Sequence, residues 1–149
     1  MTYNPKWDTR FIELAAHVAN WSKDPSTKCG AVITEGNKIV SLGFNGFPSG
    51  VDDHEDRLNN REVKYEMIIH AEVNALLFAN RDLSKCTIYV YPMPPCSRCA
   101  AQIIQSGIKR IVTINPSEDA LSRWGKFFQI SEEMYKDAGV LLHFIEDGE

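Results

Sequence analysis

Hydrophobic residues recur along this chain at two spacings, one typical of helices and one typical of strands. Residues 7–21 carry a helical spacing that predicts an amphipathic helix, with apolar positions at Phe11, Leu14, Ala15 and Val18. The Asp24-Pro25 pair follows, and a residue before proline disfavours helical backbone, so a loop is expected there.

Short apolar runs bounded by turn residues predict five strands, over residues 29–34, 38–44, 85–91, 109–114 and 140–145. Helical spacing predicts three further helices, over residues 70–80, 96–107 and 117–138. Gly139 would end the last of these helices. Residues 45–62 are rich in Gly, Pro and Asp, and we expect a long loop of the kind that is usually functional or mobile.

Strands and helices alternate from residue 70 onward. Such alternation implies crossover connections, and it predicts an α/β sandwich with helices on both faces of a five-stranded sheet. The sequence contains no internal repeat, low-complexity segment or linker, and 149 residues suit one domain of ordinary size. We therefore expect residues 1–149 to form a single domain.

The composition narrows the class of protein. A net charge of -4 argues against a mainly electrostatic nucleic-acid binder. No apolar run is long enough to cross a membrane, and residues 1–10 lack the apolar core of a secretory signal. The expected location is the cytoplasm, where thiols stay reduced and paired cysteines are more often metal ligands or redox centres than disulfides.

Two predicted helices begin with residues that can bind a metal. His70-Ala71-Glu72 opens one, and Cys96 and Cys99 lie in the first turn of the other, after two prolines. Cysteines at positions i and i+3 share a helix face, and the positive end of the helix dipole favours their thiolate forms. The order H-x-E…P-C-x-x-C is the signature of zinc-dependent deaminases.

The cysteine pair alone also fits a redox couple, a disulfide or two core thiols. A redox couple needs no upstream His-x-Glu, and Glu72 has no role in the redox or core interpretation. His70, Cys96 and Cys99 make three protein ligands and leave a fourth position for water, as in catalytic zinc sites. Two thiolates already offset the charge of zinc, so a neighbouring base is needed, and Glu72 is placed to be that base.

Five blocks of the sequence resemble, in order, the zinc-dependent cytidine/deoxycytidylate deaminase superfamily. They are SKDPSTKCGAVI (22–33), GFNGFPSGVDD (43–53), HAEVNAL (70–76), PPCSRCAAQIIQSGIKRIV (94–112) and YKDAGV (135–140). The first two blocks favour the deoxycytidylate branch. The resemblance implies a three-layer α/β/α sandwich with a five-stranded mixed sheet.

The resemblance also implies an activity, the hydrolysis of dCMP to dUMP and ammonia, which would feed dTTP synthesis. In this interpretation a zinc-activated water attacks the base, and Glu72 serves as general base and then general acid. The Ala71 backbone N–H and the carbonyl near Pro94 would hold the pyrimidine, and Asn45 would contact the sugar.

A monophosphate needs cationic or N–H partners. Ser22 and Lys23 are the first candidates, and Arg123 is the second, with Trp124 beside it as a lid over the base. Members of the superfamily are often hexamers that dCTP activates and dTTP inhibits. An effector and Mg²⁺ region is predicted from charged residues near the long loop, namely Asp52, Asp53, Arg57, Arg61 and Lys64.

Several alternatives stay open from the sequence. Cys29 and Cys86 are expected to be buried core thiols, although Cys29 and His54 could contribute to a second, structural zinc. The rival activities are deamination of a free nucleoside or base, and deamination of tRNA or single-stranded nucleic acid. A catalytically silent nucleotide-sensing protein is a further alternative, against which the complete set of ligands and Glu72 argues.

Overall fold

A computed structural model of the protein describes residues 3–145 as one mixed sheet between two layers of helices. The six helices are α1 (Pro5–Ala19), α2 (Glu55–Asn59), α3 (Arg61–Met67), α4 (Ala71–Ala79), α5 (Ser97–Gln105) and α6 (Glu118–Ala138). The five strands are β1 (Gly30–Glu35), β2 (Lys38–Phe44), β3 (Thr87–Tyr91), β4 (Arg110–Ile114) and β5 (Leu141–Ile145). Residues 1–2 and 146–149 of the predicted domain lie outside the described residues.

Every predicted strand and helix is present, with ends that differ from the prediction by at most two residues. The prediction of an unbroken loop over residues 45–62 is wrong, because α2 and the start of α3 lie within that range. Neither segment has an apolar period that could reveal it, and α2 buries no residue. Asn60 begins α3 by accepting a hydrogen bond from the Val63 N–H at 3.3 Å.

The sheet has the strand order β2-β1-β3-β4-β5. β1 pairs antiparallel with β2 and β3, whereas β3, β4 and β5 run parallel, which confirms a mixed five-stranded sheet. Gly30 at the start of β1 pairs with Tyr91 at the end of β3. The beginning of β1 therefore shares one edge of the sheet with the loop between β3 and α5.

Strand residues alternate between two apolar cores, as a period of two requires. Val32, Tyr89 and Val112 face α1, which packs Phe11, Ile12 and Ala15 against that side. Ala31, Ile33, Ile88 and Ile111 face the other side, where they meet residues of α4, α5 and α6. Both faces of the sheet are covered, which confirms the three-layer sandwich.

Two glycines allow helices to lie directly on the sheet. A Cβ added at Gly30 in β1 would collide with the backbone of Ala15 and Ala19 in α1. A Cβ at Gly43 in β2 would collide with the backbone of Ala71 and Ala75 in α4. The close approach at Gly43 therefore determines how near the first turn of α4 lies to the sheet.

A buried ionic network ties α1 to the amino ends of β3 and β4. Arg110 donates from both terminal nitrogens to the two carboxylate oxygens of Asp8, and Tyr89 Oη donates to Asp8 Oδ1 at 2.8 Å. Burial alone would raise the pKa of Asp8, but the hydrogen bonds from Arg110 and Tyr89 outweigh it and hold the pKa below its ordinary value.

None of the helices between residues 3 and 145 is both long enough and apolar enough to span a bilayer.

Candidate active site

His70 and Cys96 occupy equivalent positions at the starts of two helices. Each is the N-cap residue of its helix, α4 or α5, and neither side chain caps that helix. Their side chains instead meet, with Nδ1 of His70 at 3.5 Å from Sγ of Cys96. Cys99, one turn into α5, brings its Sγ to 3.2 Å from the same Nδ1.

These three donor atoms lie within 4.8 Å of one another. Two thiolates and an imidazole form a donor set that suits zinc, and both helix N-termini add positive potential that favours the thiolate forms. Within residues 3–145 this is the single group of three or more potential ligands, and neither Cys29 nor His54 belongs to another. The alternative of a second metal thus gains no support from the described residues.

The two cysteines of the cluster have pKa values shifted in opposite directions. The hydrogen bond from Cys99 lowers the pKa of the Cys96 thiol to about 4, against the opposing effect of burial and with help from His70. The same hydrogen bond, followed by burial, raises the pKa of Cys99. Cys96 thus supplies a ready thiolate, whereas Cys99 must release its proton when a metal binds.

Glu72 lies beside this cluster in the first turn of α4. Its side chain is only 5% exposed, although it lines a cavity. Burial and the nearby Cys96 raise its pKa, while the adjacent His70 counteracts them. The raised pKa makes Glu72 a stronger base than an exposed carboxylate, and acid–base catalysis requires a group that accepts a proton and then releases it.

The cavity has a volume of about 100 Å³ and lies at the carboxyl end of β3. Eight of the predicted site residues line it, namely Asn45, Lys64, His70, Glu72, Pro94, Cys96, Arg123 and Trp124. Two further predicted residues are buried and do not line it: Cys99, whose Sγ contacts His70, and Ala71 at the first position of α4.

The first two phosphate candidates lie outside the cavity lining. The Ser22 hydroxyl is buried, donates to the Asn45 carbonyl at 2.8 Å and accepts from the Asp24 N–H at 3.2 Å. Lys23 is exposed, and its Nζ lies 3.1 Å from Asp53. Among the predicted phosphate ligands, the structure thus brings Arg123 to the cavity.

The predicted effector residues do not form one cluster in the structure. Asp52 and Asp53 precede α2, Arg57 lies in α2 and donates to the Asp52 carbonyl at 2.8 Å, and Arg61 is the first residue of α3. Lys64 is different, because it is only 5% exposed and lines the cavity.

Sequence reasoning missed part of the cavity wall. Asp24, Ser26, Thr27 and Tyr65 line it, although Asp24 was expected only to end a helix. Cys29 lines it too; this thiol is half-buried and packs against the apolar core from the cavity side, whereas Cys86 is confirmed as a buried thiol within that core. The sheet topology explains this, since the start of β1 lies next to the end of β3.

Comparison with known proteins gives a family match over most of the chain. Residues 5–115 match the cytidine and deoxycytidylate deaminase zinc-binding region. An uncharacterized deaminase of Aliivibrio fischeri is 53% identical over 135 residues, which are 91% of this chain and 90% of that protein. Human deoxycytidylate deaminase is 38% identical over 72% of this chain. The match covers 64% of the human protein, which is less than two thirds of its length.

Solved structures share the fold. A dCMP deaminase from the cyanophage S-TIM5, crystallised with dCMP and dUMP, superposes with a TM-score of 0.76 at 21% identity. The superposition covers 97% of this chain and 100% of the phage chain. At this level of identity, the comparison supports the three-layer architecture alone.

Proposed function

The chain belongs to the cytidine and deoxycytidylate deaminase family, and from this membership we propose that it hydrolyses dCMP to dUMP and ammonia. The observation that carries the proposal is the meeting of His70, Cys96 and Cys99 at two helix N-termini, beside the buried carboxyl of Glu72. The choice of dCMP is supported by the names of the relatives, among them the human deoxycytidylate deaminase and the phage dCMP deaminase.

Nδ1 of His70 and the sulfur atoms of Cys96 and Cys99 would hold the zinc ion. Zinc held there would supply a polarised water molecule, and because two thiolates offset the charge of the metal, Glu72 would be needed as the base. The set fits this role, because it comprises three protein ligands of types that zinc prefers, and catalytic zinc sites have three protein ligands.

Glu72 would move the protons. As water attacks C4 of the cytosine, Glu72 accepts a proton and passes it to N3. A second proton goes to the 4-amino group, which leaves as ammonia while the C4 carbonyl forms. The buried position of Glu72 raises its pKa and suits it to both transfers.

The other cavity residues would hold the nucleotide. We assign the pyrimidine to the Ala71 backbone N–H and the Pro94 carbonyl, the phosphate to Arg123, and the cover over the base to Trp124. Asn45 would reach the sugar through Oδ1 only, because both hydrogens of its amide are already donated within the protein. Ser22 and Lys23 stay predictions with less support, since they lie outside the cavity lining.

Regulation and assembly belong to the same proposal. A nucleoside triphosphate with Mg²⁺ would bind the charged segment of Asp52, Asp53, Arg57 and Arg61. Self-association, with a hexamer as the expected state, is supported by exposed apolar side chains on α4 and β2, since Leu77, Phe78 and Ile39 are more than half exposed. We treat residues 1–149 as one cytoplasmic deaminase domain.

The test is a deamination assay on dCMP, dCTP, deoxycytidine, tRNA and single-stranded DNA, each with and without added dCTP and dTTP. We expect dUMP and ammonia from dCMP in equal amounts. Turnover of deoxycytidine or of nucleic acid in preference to dCMP would replace this function with one of the rival deaminase activities. No turnover of any substrate by the zinc-loaded protein would indicate a silent nucleotide-binding protein.

A further inference from the structure

Lys64 presents an unusual combination of charge, burial and position. It lies in the middle of α3, is 5% exposed and lines the cavity that holds Glu72. A buried ammonium group is costly unless a charge and hydrogen bonds compensate it. Its Nζ finds both, at 3.1 Å from Asp24 Oδ1 and 3.1 Å from Ser26 Oγ.

Asp24 connects Lys64 to the rest of the cavity wall. Its Oδ1 also accepts hydrogen bonds from the backbone N–H groups of Ser26 at 2.8 Å and Thr27 at 3.4 Å. Its Oδ2 accepts from Nδ2 of Asn45 at 3.3 Å. One carboxylate thus joins α3, the turn before β1 and the residue after β2.

Asn45 is held at every polar atom by this arrangement. Nδ2 donates to the Thr27 carbonyl at 2.9 Å as well as to Asp24, and Oδ1 accepts from the Cys29 N–H at 2.8 Å. The side chain therefore has one orientation, which leaves a single lone pair of Oδ1 for a ligand. Asn45, Thr27 and Cys29 all line the cavity beside Glu72.

We infer that Lys64 is a positioning residue, whose ammonium group fixes Asp24 and through it the orientation of Asn45 in the substrate cavity. This inference rests on the proposed function. The alternative is direct contact between Lys64 and the substrate phosphate. The structure favours positioning, because the charge of Lys64 is already balanced by Asp24, whereas Arg123 has only an exposed partner at 3.5 Å.

The experiment compares Lys64→Met, Lys64→Arg, Asp24→Asn and the double variant Lys64→Met/Asp24→Asn in the zinc-loaded protein. We expect Lys64→Met to raise KM for dCMP about 10- to 100-fold, with a smaller change in kcat, because misplaced binding groups weaken substrate binding. Lys64→Arg, which keeps the charge, should restore most of the loss. Arg81→Met removes an exposed cation paired with Glu35 and serves as the matched control.

The double variant separates the two roles. If Lys64 acts through Asp24, the KM of the double variant equals that of Asp24→Asn within about twofold. Multiplicative effects of the two substitutions would overturn the inference. Inhibition by inorganic phosphate gives a second readout, since a positioning residue leaves the inhibition constant unchanged in Lys64→Met, whereas a phosphate ligand raises it.

A measurement that needs no substrate tests the inference independently of the proposed function. The side-chain amide signals of Asn45 in ¹H–¹⁵N NMR spectra, assigned with Asn45→Asp, should shift and lose exchange protection in Lys64→Met but not in Arg81→Met. Unchanged Asn45 signals would overturn the inference even if dCMP is turned over. Shifted signals in a wild-type protein that does not deaminate dCMP would contradict only the proposed function. If Lys64→Met does not fold, Lys64→Arg and the double variant supply the same comparisons.

Discussion

The two ends of the sheet both bury charge, but in opposite ways. Near the amino ends of β3 and β4, Asp8 receives two hydrogen bonds from Arg110 and one from Tyr89, so both of its carboxylate oxygens are engaged within the protein. At the other end, His70, Cys96 and Cys99 bring three atoms that can bind a metal within 4.8 Å of one another, where they contact each other in weak sulfur–nitrogen hydrogen bonds. Glu72 stands beside them with a raised pKa.

The difference teaches that buried charge by itself does not mark a functional site. Hydrogen bonds engage both carboxylate oxygens of Asp8, which stabilises the packing of α1 on the sheet, and in the same network Nε of Arg110 is buried without a hydrogen-bond partner among the described residues. The His70 cluster instead brings an imidazole and two thiols together at the starts of α4 and α5, and these groups are metal ligands. The candidate active site is therefore recognised by the chemistry of its grouped side chains and by the nearby Glu72, and not by burial alone.

The largest expected effect is loss of turnover at the cavity end. Glu72→Gln keeps the shape of the side chain but cannot transfer protons, so kcat should fall by about 10²- to 10⁴-fold. Zinc per chain, measured by atomic absorption, should stay as in the wild type, because Glu72 is not among the three grouped ligands. A variant that retained full turnover would remove the acid–base role and weaken the contrast between the two ends.

The corresponding change at the other end should affect stability and leave catalysis intact. Arg110→Met leaves Asp8 buried without its cation, and loss of one partner of a buried pair costs about 3–5 kcal/mol. Urea unfolding measures this change, and kcat of the folded protein should be unaltered. Lys85→Met, an exposed lysine near the same end, is the control. A fall in kcat without a fall in stability would show that this end also serves catalysis.

Acid should lower the free energy of unfolding, because it protonates Asp8. The pKa of folded Asp8 lies below the ordinary value of 3.8, so the unfolded chain binds more protons around that pH. Its contribution to stability is present above pH 3.8 and disappears as the pH falls through the folded pKa. In Asp8→Asn the free energy of unfolding should therefore fall less steeply with acid. Release of zinc at low pH should affect the wild type and Asp8→Asn alike. If the free energy of unfolding of the two proteins changed with pH in parallel, the role assigned to Asp8 would be contradicted.

The smallest expected effect belongs to an ion pair that neither end uses. Arg81 and Glu35 pair at the surface, where water and salt screen the attraction. Arg81→Met should leave turnover, zinc content and urea midpoint unchanged. A measurable loss would show that exposure is a poor guide to the role of charged pairs in this protein.

The sequence pattern predicted those parts of the molecule that are determined by the spacing of residues within a short segment. The strands, the long helices and each half of the motif, His70-Ala71-Glu72 and Cys96-Ser97-Arg98-Cys99, depend on spacing within one element. The structure contains these elements and brings His70, Cys96 and Cys99 together. Helices α2 and α3 were missed because short polar helices show no apolar period. Their ends are set by capping residues such as Asn60, which also occur in loops.

The wall of the cavity was harder to predict because it depends on contacts between distant segments. Asp24 and Lys64 are 40 residues apart, and no pattern in either segment shows that their side chains meet. The same holds for Cys29, whose place in the cavity follows from the pairing of β1 with β3. A lysine in a polar stretch is ordinarily exposed, so its burial became visible only in the folded chain.

The contact between Gly43 and α4 limits how this protein can vary. One added methyl group would push the helix outward and carry His70 and Glu72 away from the two cysteines of α5. A related chain could then keep every residue of the zinc motif and still fail as an enzyme, with its defect in the second strand, far from the motif in sequence. Surveys that separate working deaminases from silent ones would gain by scoring this glycine together with the metal ligands.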